Sequence, residues 1–102
     1  MPTTDPSILD EHTAAHVAEL FRAFSDTSRV RILSVLTQHE RNVNTLAAEV
    51  GISESAVSHH LRGLRQMKLV EARRDGKEVY YKVGDEHIIA LFQHGVNHIL
   101  FG

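Results

Sequence analysis

The change of hydrophobic period at Lys68 constrains this chain more than any other feature. Up to that point apolar residues recur every three to four positions. Beyond it, "LVEARR" and "KEVYYKV" follow a period of two around Asp75-Gly76. An Asp-Gly pair between two β-prone runs predicts a hairpin, because a type I′ turn needs positive φ, which glycine adopts without steric cost. Gly84 then releases the chain into a last helix that Asp85 is placed to cap. The expected order is α-α-α-α-β-β-α: a mainly α chain with one β-hairpin (α+β), in a single domain over residues 1–102.

The first helix is expected to follow Ser7, which with Asp10 makes a capping-box-like start, and to run over 8–24 with Val17, Leu20, Phe21 and Phe24 on one stripe. "SDTSRVRILSVLTQ" reads as a second helix capped near Asp26, with Val30, Leu33 and Leu36 at helical spacing. "NVNTLAAEVG" is a short third helix ending at Gly51, and the fourth begins beside Ser53.

Residues 44–67 carry the clearest functional pattern. Ala47 is small enough for two helices to cross closely, Gly51 supplies a left-handed residue for a tight turn, and Ser53 can cap the next helix. Val57, Leu61 and Leu64 then anchor that helix to a core, which is the spacing of a helix-turn-helix. The opposite face carries Ser55, Ser58, His59, Arg62 and Gln66. Short hydrogen-bonding side chains of this kind can read base edges in a major groove, while Arg62 and Arg65 can hold phosphates. His60 falls toward the buried flank and is given a packing role. The hairpin over 69–83 then becomes a wing, with Arg73, Arg74 and Lys77 as its expected phosphate-reaching tip.

The formal net charge is −2, but the charges are unevenly placed. Residues 53–82 hold seven Lys and Arg against four Asp and Glu, whereas residues 1–20 hold Asp5, Asp10, Glu11 and Glu19 and no base. The basic middle suits double-stranded DNA as partner. Cysteine is absent, which removes disulfides, thiolate metal sites and cysteine nucleophiles. No apolar run approaches the ~18 residues of a membrane span, and the start lacks the pattern of a secretory signal. A cytoplasmic protein without a membrane partner is the expectation. "HTAAH" lacks the Glu of H-E-x-x-H, and no Ser–His–Asp or phosphate-loop grouping is evident, so neither catalysis nor a small-molecule substrate is expected.

Through "LFRAFSDTSRVRILSVL", "LAAEVGISESAVSHHLRGLR", "LVEARRDGKEVYYKV" and "DEHIIALFQHGVNH", roughly residues 14 to 100, the chain resembles the ArsR/SmtB family of winged-helix metal-sensing repressors. The resemblance implies a homodimer formed through the first and last helices (8–24 and 85–100). It also implies operator binding in the apo form and release when metal binds.

The histidines of the last helix can be read geometrically. Steps of about 100° put His98, Leu91 and His94 at about 20°, 40° and 340° from His87, whereas Ile88, Ile89, Phe92, Val96 and Ile99 fall between about 100° and 200°. The histidines thus share a face distinct from the expected core face. His87 and His98 are separated by about 16 Å along the axis, too far for one ion. Two antiparallel copies crossing near residues 92 and 93 would bring His87 of one beside His98 of the other, with Asp85 half a turn away. One oxygen and two imidazoles suit zinc, and also cobalt or nickel.

Asp85, His87 and His98 also match the metal motif of the zinc-sensing branch, residue by residue. That branch supplies a fourth ligand three residues after the second-subunit histidine, and Phe101 stands there instead. Water, His94, His12 or His16, or the carboxylate of Gly102 are the candidates to complete the shell. His94 with His98, at i and i+4, is the lower-ranked alternative clasp. By resemblance, His98 would donate its second ring N–H to a backbone carbonyl around Lys68, linking metal to DNA reader. A repressor of the same fold that senses no metal is the competing reading.

Overall fold

The computed structural model describes residues 7–102. Asp5 of the acidic start lies outside the described residues. The elements are α1 (Glu11–Ala23), α2 (Thr27–Leu36), β1 (Arg41–Asn42), α3 (Val43–Val50), α4 (Glu54–Gln66), β2 (Glu71–Asp75), β3 (Glu78–Lys82) and α5 (Glu86–Phe101). Among the described residues, five helices thus carry a small antiparallel sheet. Among the described residues no helix is long and apolar enough to cross a membrane.

Local side-chain chemistry sets most helix starts. Asp26 accepts from the Arg29 N–H at 3.0 Å, Asn42 from Thr45 at 2.8 Å and Ser53 from Ala56 at 3.0 Å, each occupying a donor that the first turn would leave unpaired. At α1 the cap is Asp10, which accepts from Thr13 N–H at 2.7 Å, so the helix begins at Glu11 rather than just after Ser7. The ionised carboxylate is the stronger acceptor of the two candidates, and it decides the boundary.

The core is the meeting of α2, α3 and α4. Ile32, Leu33 and Leu36 face Leu46, Ala47 and Val50 and also Val57, Leu61 and Leu64, all buried, with Leu69, Val70 and Val83 closing the lower edge. Val30, expected on the α2 core stripe, is only half-buried, and Ile32 takes its place. Truncating a fully buried leucine such as Leu61 to alanine costs about 2–5 kcal/mol, a large share of a small domain's stability. α4 ends where Lys68 takes φ +61°, with Lys68 N–H donating to Arg65 C=O and Leu69 N–H to Leu64 C=O, both at 2.9 Å. These crossed bonds cap α4 and turn Leu69 back onto Leu64.

β2 and β3 form the hairpin, with Glu71 opposite Lys82 and Asp75 opposite Glu78. Its two-residue loop is Gly76-Lys77, one residue beyond the expected Asp-Gly centre, and only Gly76 has positive φ there. Glycine at the first central position is the type II′ requirement, so the turn type differs while the hairpin stands. A third strand lies outside the sequence-based order: β1 pairs with β3 through Arg41–Tyr81 and Asn42–Tyr80, giving β1-β3-β2. Two residues are too few to show a period, and β1 runs straight into the α3 cap.

α5 leans on the core through Ile88, Ile89 and Phe92, and the Phe92 ring meets Phe24 of α1 at 6.3 Å between centroids. Contrary to its expected place on the core face, Ile99 is 82% exposed, as is Phe101. The core ends near Phe92, and past it the apolar stripe of α5 runs on over open grooves, with Val96 half-buried and Ile99 exposed among the described residues.

Candidate nucleic-acid interface and metal-ligand positions

The helix-turn-helix is α3, the Gly51 turn at φ +79°, and α4. Because Val57, Leu61 and Leu64 are drawn into the core, the opposite face of α4 is presented outward. Ser55, Ser58, His59, Arg62, Arg65 and Gln66 are all exposed there. Ser58, Arg62, Arg65 and Gln66 line an open cleft between α4 and the wing. Arg62 and Gln66 also border a second cleft, which His59 and Arg29 of α2 line as well. They therefore form the ridge between the two. The first cleft adds Tyr81 of β3, which the sequence reading passed over. Its place becomes visible only once β3 is known to be the central strand.

His60 takes the packing position expected of it: its side chain is 17% exposed, with Nε2 at 3.8 Å from Asp26 Oδ2. Its Nδ1 is buried without a partner among the described residues. The Asp26 carboxyl is held below the usual carboxylate range mainly by the Arg29 N–H, with His60 a smaller contributor. Asn44 of α3 donates to the Glu54 carboxylate at 3.0 Å, tying the two helices of the motif together at the start of α4.

The wing does not present its three bases alike. Lys77 is at the turn and Arg74 pairs with Val79 next to it, both exposed. Arg73 lies further back, opposite Tyr80, and is engaged within the molecule. Its Nη2 and Nε donate to the two Glu40 oxygens at 2.7 and 3.1 Å, and its guanidinium stacks 5.1 Å from the Tyr80 ring centroid. The bidentate pair raises the Arg73 pKa and lowers that of Glu40. Expected at the tip, Arg73 is instead the residue that fastens the wing to the segment before β1. Glu40 is 33 positions away in sequence, so no local pattern announces the pair.

At the start of α5, Asp85 Oδ1 accepts from the His87 N–H at 2.7 Å and the Ile88 N–H at 3.3 Å. The His87 N–H does most to hold the Asp85 carboxyl below its ordinary range, then that of Ile88, with the nearby His87 ring adding to both. Asp85 is thus an anion at neutral pH, with both helix bonds on a single oxygen. The His87 ring, Nδ1 at 3.3 Å from Asp85 Oδ1, is otherwise fully open at 99% exposure. His98 is exposed in the last turn of α5. Among the described residues of one chain, no three His, Cys, Asp or Glu side chains converge on a common point. The cleft beside Lys68 is bordered by His16, Glu19 and Leu20 of α1, and no hydrogen bond joins His98 to it among the described residues.

His94, on the same face of α5, also has the apolar flank of the helix beside it. It borders an apolar groove between α1 and α5, whose walls include Phe21, Phe24, Phe92, Val96 and Ile99. Phe21 is 51% and Leu100 66% exposed along the same groove.

Residues 26–72, the segment from the α2 cap to the first wing strand, match the bacterial regulatory protein, arsR family. The chain is 43% identical to the transcriptional repressor SmtB homolog of Synechocystis, over 92% of this chain and 71% of that protein. It is 39% identical to the cadmium resistance transcriptional regulatory protein CadC homolog of Staphylococcus aureus, over 80% of this chain and 69% of that one. Among solved structures it is similar to the homodimeric winged helix-turn-helix DNA-binding domain from Mycobacterium bovis, with a TM-score of 0.77 and 32% identity, covering 88% of this chain and 90% of that one. Fold, motif and relatives agree: the chain belongs to the ArsR/SmtB family of winged helix-turn-helix, DNA-binding transcriptional regulators, and it is not an enzyme.

Proposed function

We propose that this protein is a metal-responsive repressor that binds operator DNA as an apo homodimer and releases it on binding zinc, or cobalt or nickel. The observation that carries this reading is the character of α5. One side bears His87, fully in solvent, and an exposed His98, with an ionised Asp85 beside the first, and another side is an apolar surface left uncovered by the core. A two-fold contact through the groove between α1 and α5 would cover the apolar side and set two α5 helices against each other. Asp85 and His87 of one copy, with His98 of the other, would then hold the ion in two equivalent sites. The donor set fits: one carboxylate oxygen and two imidazoles are ordinary zinc ligands. A regulator of this class works where the DNA is, in the cytoplasm. Its relatives include a cadmium resistance regulator, which favours a metal effector.

DNA contact is assigned to Ser55, Ser58, His59, Arg62, Arg65 and Gln66 on α4, to Arg74 and Lys77 on the wing, and to Tyr81 between them. Each copy carries one such reader, so the spacing of the two readers follows from how the α5 helices pack. A bound ion that prefers one packing changes operator affinity by its differential affinity for the two packings. A coupling of about 3 kcal/mol would weaken operator binding about 150-fold. The test is operator binding by fluorescence anisotropy with and without zinc. Zinc should weaken binding by wild type, while His98→Ala binds the operator normally and ignores zinc. Equal zinc sensitivity in the variant would remove these residues from the site.

A second reading has a specific observation behind it. Phe101 occupies the position of the branch's usual fourth ligand, which favours a repressor of the same fold without a metal effector. Titration decides: about one tightly held zinc per chain supports sensing, and zinc that binds weakly without effect on DNA supports the alternative.

A further inference from the structure

His12 and His16 belong neither to the DNA-facing surface nor to the α5 ligand set. They sit one turn apart on α1, both exposed, with ring centroids 4.5 Å apart and planes tilted by 59°. His16 Nδ1 lies 2.8 Å from the carbonyl oxygen of His12. A carbonyl oxygen can only accept, so Nδ1 carries the ring proton and the free lone pair is on Nε2. Donation of the second ring N–H to a backbone carbonyl is how metal-bound histidines are usually held: it fixes the tautomer, orients the ring and raises the basicity of the ligating nitrogen. The hydrogen bond that orients the ligating ring is therefore already made in the helix.

The geometry points to a separate metal site at His12 and His16, where two imidazoles bind a late first-row divalent ion, copper(II) foremost, with water in the remaining positions. Side chains at i and i+4 are close enough to clasp one ion. Copper(II) leads because nitrogen sites bind the divalent first-row ions in an order that peaks there, with nickel and zinc below it. No third His, Cys, Asp or Glu joins the pair among the described residues, which leaves water as the other ligand.

The pair also remains open in the proposed dimer. Phe21 and Phe24, on the groove side of α1, lie about 100° to 160° around the helix from the centre of the pair. Closing the groove therefore leaves both imidazoles in solvent. His16 also borders the cleft lined by Gln66, Met67 and Lys68, so the ion would sit beside the end of the recognition helix. The site does not depend on the α5 reading.

The experiment uses the full chain with the α5 ligands removed, Asp85→Ala/His87→Ala/His94→Ala/His98→Ala, titrated with copper(II) alone near neutral pH. Calorimetry should show one bound equivalent per chain, and electron paramagnetic resonance should show splitting from two imidazole nitrogens. Adding His12→Ala/His16→Ala should abolish that equivalent while the circular dichroism spectrum stays the same, since both side chains are exposed. No bound copper before the second pair of substitutions, or an undiminished equivalent after it, overturns the site. Failure of the wild-type protein to respond to zinc would count against α5 only.

Discussion

Replacing Ile99 with alanine probes the surface on which the proposed dimer and the proposed sensing both depend. Within one chain this side chain is 82% exposed, so almost all of its apolar area is available to be covered by a second copy. Full burial of an isoleucine is worth about 1.5–3 kcal/mol, so truncation should remove about 2 kcal/mol per copy and about 4 kcal/mol from a two-fold contact. That raises the dimer dissociation constant about a thousandfold. Sedimentation equilibrium of wild type and Ile99→Ala across a concentration series reads this directly. The chain's own stability, followed by denaturation at a concentration where both are monomeric, should change by less than about 0.5 kcal/mol, as for other exposed positions. A dissociation constant within threefold of wild type would show that Ile99 is not buried between copies and would refute the α1–α5 contact.

Arg62→Ala should weaken operator binding by about 1–3 kcal/mol, roughly 5- to 150-fold, in a gel-shift titration, and an unchanged affinity would overturn the placement of α4 in the groove. The wing bases should divide. Arg74→Ala and Lys77→Ala should each lower the salt dependence of binding by about one unit of slope. Arg73→Ala should leave that slope unchanged and lower the denaturation midpoint, since its partners are Glu40, Asp75 and Tyr80. The lowered pKa of Asp26 makes its contribution to stability present above the unfolded carboxylate value of about 3.9 and lost as pH falls through the folded value. Asp26→Asn keeps the cap but removes the titration, so its stability should fall less steeply than wild type below about pH 4, and parallel acid-unfolding curves would contradict this.

What could be read from the residues was local. The face division of α4 follows from Val57, Leu61 and Leu64 alone, and Ser53, Asp26 and Asp85 cap the helices they precede because a short acceptor reaches its own first turn. Where two local acceptors compete, as Ser7 and Asp10 do, spacing does not rank them, and α1 starts three residues later than the spacing predicts. Long-range pairing left no such trace. The β1–β3 ladder and the Arg73–Glu40 pair join residues more than thirty positions apart, and neither has a periodic signature. The exposure of Ile99 marks a further limit: helical spacing tells which residues share a face, not how far along the helix a core extends beneath them.

The central claim is that ligands from two copies complete one site, and mixing experiments address it most directly. Asp85→Ala/His87→Ala and His98→Ala chains should each lack tight zinc binding by themselves. In a mixed dimer, one of the two sites regains Asp85 and His87 from one chain and His98 from the other. Unfolding and refolding the two variants together should therefore restore tight zinc binding, about one ion per mixed dimer. Zinc binding that stays absent in mixtures shown by mass spectrometry to contain mixed dimers would contradict a shared site.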